Sequence, residues 1–136
     1  MSSTHPVIRI VTAGRLDVDP TWSWDMPGLA QQHYLFWLIT GGRGRLRVGT
    51  HEYDLGRGSC IVSSMRLPHR GRQASRALLQ IPWVVFERVD PATGSPVPLS
   101  PPPRTYRDLG DLGLIEQLIT RAVERHAAGE ESDHEA

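Results

Sequence analysis

Between residues 41 and 58 glycine recurs six times, at Gly41, Gly42, Gly44, Gly49, Gly56 and Gly58. The stretches between these breakers are too short for a stable helix, whose first turn is costly to nucleate. They suit short strands joined by tight turns. Leu46 and Val48 alternate with Arg45 and Arg47, the mark of a half-exposed strand. Gly49-Thr50 follows as a two-residue hairpin loop, and the Gly-X order suits a type II′ turn. His51 to Leu55 returns with Tyr53 and Leu55 on one face, Gly56 and Gly58 turn the chain again, and Ser59 to Ser63 is the next strand.

Other segments extend the pattern. Val7 to Thr12 reads as a first strand, Gly14 as a break, and Leu16 to Val18 as a second short strand. Asp19 to Gly28, rich in turn formers, is expected to be irregular. His33 to Thr40 is apolar on both faces, so it predicts a central strand covered on both sides. Arg66 to Ser75 reads as a polar loop. Leu78 to Val89 is the last long strand, with Pro82 implying an edge or a bulge, since proline cannot donate to a ladder. Many short strands with glycine turns describe a sandwich or a barrel. Six prolines between Asp90 and Arg104 then predict an extended strap. A helix is expected from Leu112 to Ala128, with Ile115, Leu118, Ile119, Ala122 and Val123 on one stripe. Gly129 is expected to stop it, and the acidic residues 130–136 to be disordered.

The 136 residues suit one domain, and 15 basic against 15 acidic side chains leave no net charge. A nucleic-acid surface needs a basic face, so direct DNA contact by this chain is not expected. Cys60 is the single cysteine, which excludes a disulfide framework and any multi-cysteine zinc site. It reads as a small buried hydrophobe. No signal peptide is visible before Pro6 and no apolar run is long enough to span a membrane, so a cytoplasmic location is expected.

Several stretches together resemble the N-terminal domain of AraC-family transcription regulators. His33-Tyr34-Leu35-Phe36-Trp37-Leu38-Ile39-Thr40-Gly41-Gly42-Arg43-Gly44 is similar to that family's strand ending in Gly-x-Gly. Tyr53-Asp54-Leu55-Gly56-Arg57-Gly58-Ser59-Cys60-Ile61-Val62 resembles its Leu-x-x-Gly-Asp turn, with Ser59 where an Asp is usual. Pro68-His69-Arg70-Gly71 resembles its Pro-x-x-x-His loop at shortened spacing, and Trp83-Val84-Val85-Phe86 its Trp-x-x-Phe strand. The resemblance spans residues 7–128. It implies a mainly β fold, a cupin-type double-stranded β-barrel (jelly roll) followed by a C-terminal α-helix. The barrel and its proline-rich strap would occupy residues 1–104, a dimerisation helix 105–129 and a tail 130–136. It also implies a small-molecule effector, a homodimer, and DNA contact through a helix-turn-helix pair absent from this chain. The chain is therefore expected to be an excised sensor domain or a free-standing relative.

Candidate residues follow. Many cupins hold a catalytic metal on a His-x-His pair, a Glu and a further His. His33, His51 and His69 are isolated here, and His51 and Glu52 point to opposite faces of a strand. No metal, cofactor or catalytic set is expected. Trp22, Trp24, Trp37 and Trp83 are either core or the apolar wall of a ligand pocket. Trp22 and Trp24 share a face if Ser23 is extended. The resemblance implies that Trp83 lines the effector pocket. Ile81 sits at a position that is polar in sugar-binding relatives, so the ligand is less polar or there is none. His69 and Arg70 are placed in the loop at the barrel mouth, either as a solvated loop pair, the reading favoured, or with the Arg70 fork holding a carboxylate or phosphate. Ile115, Leu118, Ile119 and Ala122 are expected to be buried partly against the outside of the barrel and partly against the same helix of a second copy, as a dimer contact. The leading expectation is thus an effector sensor and not an enzyme. The rivals are a metal-dependent isomerase or dioxygenase, and a filled barrel that only mediates association.

Overall fold

The computed structural model describes residues 5–135, with side chains described as far as Gly129. Met1 to Thr4 lie outside the described residues. Among the described residues there are nine strands and one helix. The strands are β1 (Val7–Asp17), β2 (Ser23–Met26), β3 (Tyr34–Leu38), β4 (Gly44–Val48), β5 (His51–Leu55), β6 (Ser59–Ser64), β7 (His69–Gln73), β8 (Gln80–Val89) and β9 (Tyr106–Asp108), followed by α1 (Gly113–Glu135). They form a five-stranded sheet, β1-β8-β3-β6-β9, and a four-stranded sheet, β2-β7-β4-β5, both antiparallel. From β5 to β8 the chain steps between the sheets at every connection, which gives the cupin-type jelly roll.

Alternation fills the space between the sheets. Leu35, Trp37, Ile61, Ile81 and Val85 from one sheet meet Leu46, Val48 and Leu55 from the other. Fully burying one such side chain contributes roughly 1.5–3 kcal/mol. The opposite parity of β3 points outward: Phe36 and Leu38, with Cys60, Val62 and Val84, receive Leu112, just before the helix, and Ile115, Ile119 and Val123 on it. Both faces of β3 are therefore covered, as its unbroken apolar run requires.

The hairpin at Gly49-Thr50 joins Val48 to His51, which face each other in register. Gly49 has φ +60° and Thr50 does not take positive φ, the signature of type II′. At the β5–β6 turn the Ser59 hydroxyl accepts the Gly56 amide at 3.0 Å, a task for which a carboxylate would also serve.

Several expectations change. Gly14 is no break: β1 runs through it, paired with β8 over its whole length, with a register shift between Ile10 and Thr12. The segment 19–28 contains β2, and the expected polar loop 66–75 contains β7. Polar outer faces concealed both strands. Pro82 lies inside the sheet, opposite Arg15, at the point where pairing of β8 with β3 has stopped at Trp37↔Trp83. There its missing N–H leaves no ladder bond unmade. The strap after Asp90 leads into β9, which the proline content masked. The helix passes Gly129 and continues to Glu135, so the expected tail is helical backbone up to there; Ala136 lies outside the described residues. A single glycine costs a helix only about 1 kcal/mol, which need not end it.

Candidate functional site

The four tryptophans converge between the sheets. Trp22 precedes β2, Trp24 lies on it, and Trp37 and Trp83 come from β3 and β8. The Trp24 and Trp37 ring centroids are 5.2 Å apart and those of Trp22 and Trp37 6.3 Å, tilted by 35° and 51°. With Trp83 they wall a cavity of about 320 Å³. Leu35 and Val85 continue the wall from β3 and β8, Thr12 and Leu16 close it from β1, and Met65 adds its thioether. That volume lies at the small end of the range for ligand pockets, ~300–1,000 Å³.

Two glycines make room for the indoles. Gly14 faces Trp83 across the β1–β8 ladder, and a Cβ there would stand 2.6 Å from Cζ2 of that indole. Gly71 faces Trp24 across the β2–β7 ladder, and a Cβ there would stand 2.7 Å from Cη2 of Trp22. Both contacts are closer than real carbon atoms approach, so these positions decide how far the rings reach into the barrel.

His69 is buried behind Trp24, with ring centroids 5.8 Å apart. Its Nδ1–H donates to the Leu67 carbonyl at 2.8 Å, so Nε2 accepts from the Ser63 hydroxyl at 2.7 Å. Burial pushes the imidazole below its ordinary value, against a smaller opposing effect of the Leu67 hydrogen bond. His69 is thus a neutral structural group, and it does not line the cavity.

Arg70 has the other parity of β7. It lies exposed on the outer face of the four-stranded sheet, 3.3 Å from Asp25. It borders two polar surface grooves of about 200 and 210 Å³ with Arg47, and has no part in the cavity. Ile81 points inward but is wholly buried in the core, away from the cavity wall. Of the seven candidate residues, the four tryptophans are brought together and His69, Arg70 and Ile81 are not among the lining groups. Leu35 and Val85 were readable from parity with Trp37 and Trp83. Thr12 and Leu16 were hidden by reading Gly14 as a break.

The helix divides its apolar residues. Ile115 and Ile119 pack on this chain's own sheet, whereas Leu118 is 55% and Leu114 69% exposed. Ala122 is half-buried. Arg57 fastens the helix to the barrel, donating to the Thr40 carbonyl at 2.5 Å and to Glu116 at 3.1 Å.

The donor set does not fit a cupin metal. Among the described residues no three His, Cys, Asp or Glu side chains gather as ligands would. His69 has both nitrogens engaged, and His51 is exposed on β5. His33 lies 3.5 Å from Glu87, which also binds Arg9. Burial pushes the Cys60 thiol up, only partly opposed by Arg107, so it is a poor thiolate ligand. Among the described residues no helix is long and apolar enough to cross a membrane.

A family model described as AraC-like ligand binding domain matches residues 21–135. A solved cupin protein from Bacteroides fragilis is 10% identical, covering 77% of this chain and 92% of that one, with a TM-score of 0.43. An uncharacterized conserved protein with a double-stranded beta-helix domain from Klebsiella pneumoniae is 14% identical, covering 71% and 86%, with a TM-score of 0.39. Comparison with curated proteins finds no match.

Proposed function

The chain belongs to the family of AraC-like ligand binding domains, and we propose that it senses a small-molecule effector bound between its two sheets and takes part in transcription regulation. The observation that carries this reading is the tryptophan-walled cavity, which combines apolar walls with open volume. A barrel built only for association has no need of that space.

The sensing mechanism follows from where the walls come from. Trp22 and Trp24 belong to the β2 side, and Trp37 and Trp83 to the facing sheet, so an occupant touches both. β3 carries Leu35 and Trp37 into the cavity and Phe36 and Leu38 against the helix. A shift of β3 on binding is therefore felt by α1. The ligand moves the equilibrium only by its differential affinity for the two arrangements. The helix would convey the change to a second copy through exposed Leu114 and Leu118, a two-fold contact. DNA would be contacted by a separate unit, in the cytoplasm. We favour this sensor reading over an enzyme because the buried His69 is held neutral by two fixed partners and no charged side chain lines the cavity.

The test is a thermal-shift screen of small molecules against the wild type and a cavity-filled Leu35→Phe variant. An effector raises the wild-type Tm, since it binds only the folded state, and leaves the filled variant unmoved. Equal shifts in both proteins, or none in either, would refute the cavity as the sensing site.

A further inference from the structure

The wall of the cavity also restricts what it accepts. Four indoles dominate it, Thr12 supplies the one aliphatic hydroxyl, and no lining side chain is charged. Charged groups close by in sequence are turned away or engaged. On β1, Arg15 alternates with Gly14 and Leu16, stands 52% exposed and lies 3.6 Å from Asp17. Arg9 is bound to Glu87, and Arg70 to Asp25 on the outer face. His69, behind Trp24, is fixed by Ser63 and Leu67.

Each ligand class meets this wall differently. A carboxylate or phosphate would shed its water and find no cation. A sugar would leave most of its hydroxyls without partners, and unmade buried hydrogen bonds cost more than made ones return. A quaternary ammonium is the stronger rival, because indole faces attract cations. Yet Trp22 and Trp24 both lean on Trp37, at 6.3 and 5.2 Å, which occupies ring surface a cation would need. No carboxylate lines the wall to offset its desolvation. An uncharged ring loses little on leaving water and stacks on tilted indoles.

Resting on the reading of the cavity as the effector site, we propose that its ligand is a compact, uncharged, ring-bearing apolar molecule with a single hydrogen-bonding group directed to Thr12. The indoles select for shape and lack of charge, and Thr12 sets orientation.

The test is calorimetry on the full chain at neutral pH with five probes: naphthol, naphthalene, naphthoate, naphthylmethyl-trimethylammonium and glucose. Naphthol is expected to bind at least tenfold more tightly than either charged probe, and glucose to give no binding heat. Leu35→Phe, or Met65→Phe should the first not fold, is expected to weaken naphthol at least tenfold. Thr12→Val is expected to weaken naphthol several-fold while leaving naphthalene unchanged; an equal effect on both overturns the role given to Thr12. If a charged probe or glucose matches naphthol and the filled variant abolishes that binding, the ligand class is wrong while the cavity stands as the effector site. If no probe binds, or the filled variant binds naphthol like the wild type, both readings fall.

Discussion

Replacing Gly14 with alanine tests the link between backbone and cavity. Gly14 sits in β1 opposite Trp83, and the added methyl would lie 2.6 Å from Cζ2 and 2.9 Å from Cε2 of the indole. It is not among the positive-φ glycines, so alanine meets no backbone obstacle. Overpacking of this kind costs about 1–3 kcal/mol. Alanine returns about 0.4–1 kcal/mol by narrowing the unfolded ensemble. The net loss is therefore roughly 0.5–2 kcal/mol, or a fall in Tm of about 2–6 °C for a chain of this size. The indole has about 320 Å³ into which it can retreat. That places the stability cost near the lower figure and transfers the damage to binding. Thermal denaturation followed by circular dichroism is expected to show the small loss. Calorimetry with naphthol is expected to show at least a tenfold fall in affinity. An alanine variant with wild-type Tm and wild-type affinity would show that Trp83 does not lean on this position, and the argument from close approach would fail.

Other perturbations separate the remaining claims. His69 is held below its ordinary value of 6.5, so on acidification the unfolded chain takes up that proton first. Its contribution to stability is complete above about pH 6.5 and declines below it; His69→Gln should flatten this part of a denaturation-versus-pH curve, and an unchanged slope would contradict the assignment. Leu118→Glu changes an exposed side chain and should leave stability within about 0.5 kcal/mol while halving the mass seen by light scattering; a wild type that is already monomeric refutes the helix contact. Ile119→Glu instead buries a charge against Leu38 and Cys60 and should cost about 3 kcal/mol or more, read by urea denaturation; a loss as small as that of Leu118→Glu would contradict the packing of α1. Arg57→Ala removes an exposed pair with Glu116 and should cost no more than about 1 kcal/mol, yet hasten hydrogen exchange in the first turns of α1; exchange as slow as in the wild type would deny Arg57 its fastening role.

Much of the fold was legible because its signals are local. The glycine spacing located β4 to β6, and the two-faced run at Tyr34 to Leu38 marked a strand covered on both sides. β2 and β7 escaped because their outer positions carry Ser23, Asp25, Arg70 and Arg72 and their inner ones include Gly71, which leaves little apolar alternation to detect. Half of the cavity was readable: tryptophan parity pointed at the wall, but Arg70 was assigned by loop position when only the register shows that it faces away. The stripe on the helix was one feature in sequence and two in space. Ile115 and Ile119 meet the barrel while Leu118 stands off it, a division that depends on what the helix lies against.

The pairing of β1 with β8 joins Val7 to Val89 and Asp17 to Gln80, partners far apart along the chain. A nascent chain leaving the ribosome must hold its first strand in reserve until the eighth emerges. Closing so large a loop comes late and slowly, as in other chains dominated by distant contacts. Until then Thr12 and Leu16 have no place to sit and Trp83 does not exist, so the chamber cannot form in installments. Synthesis of this protein thus includes an interval in which an apolar strand waits unpaired, the natural moment for a chaperone to hold it or for two chains to entangle.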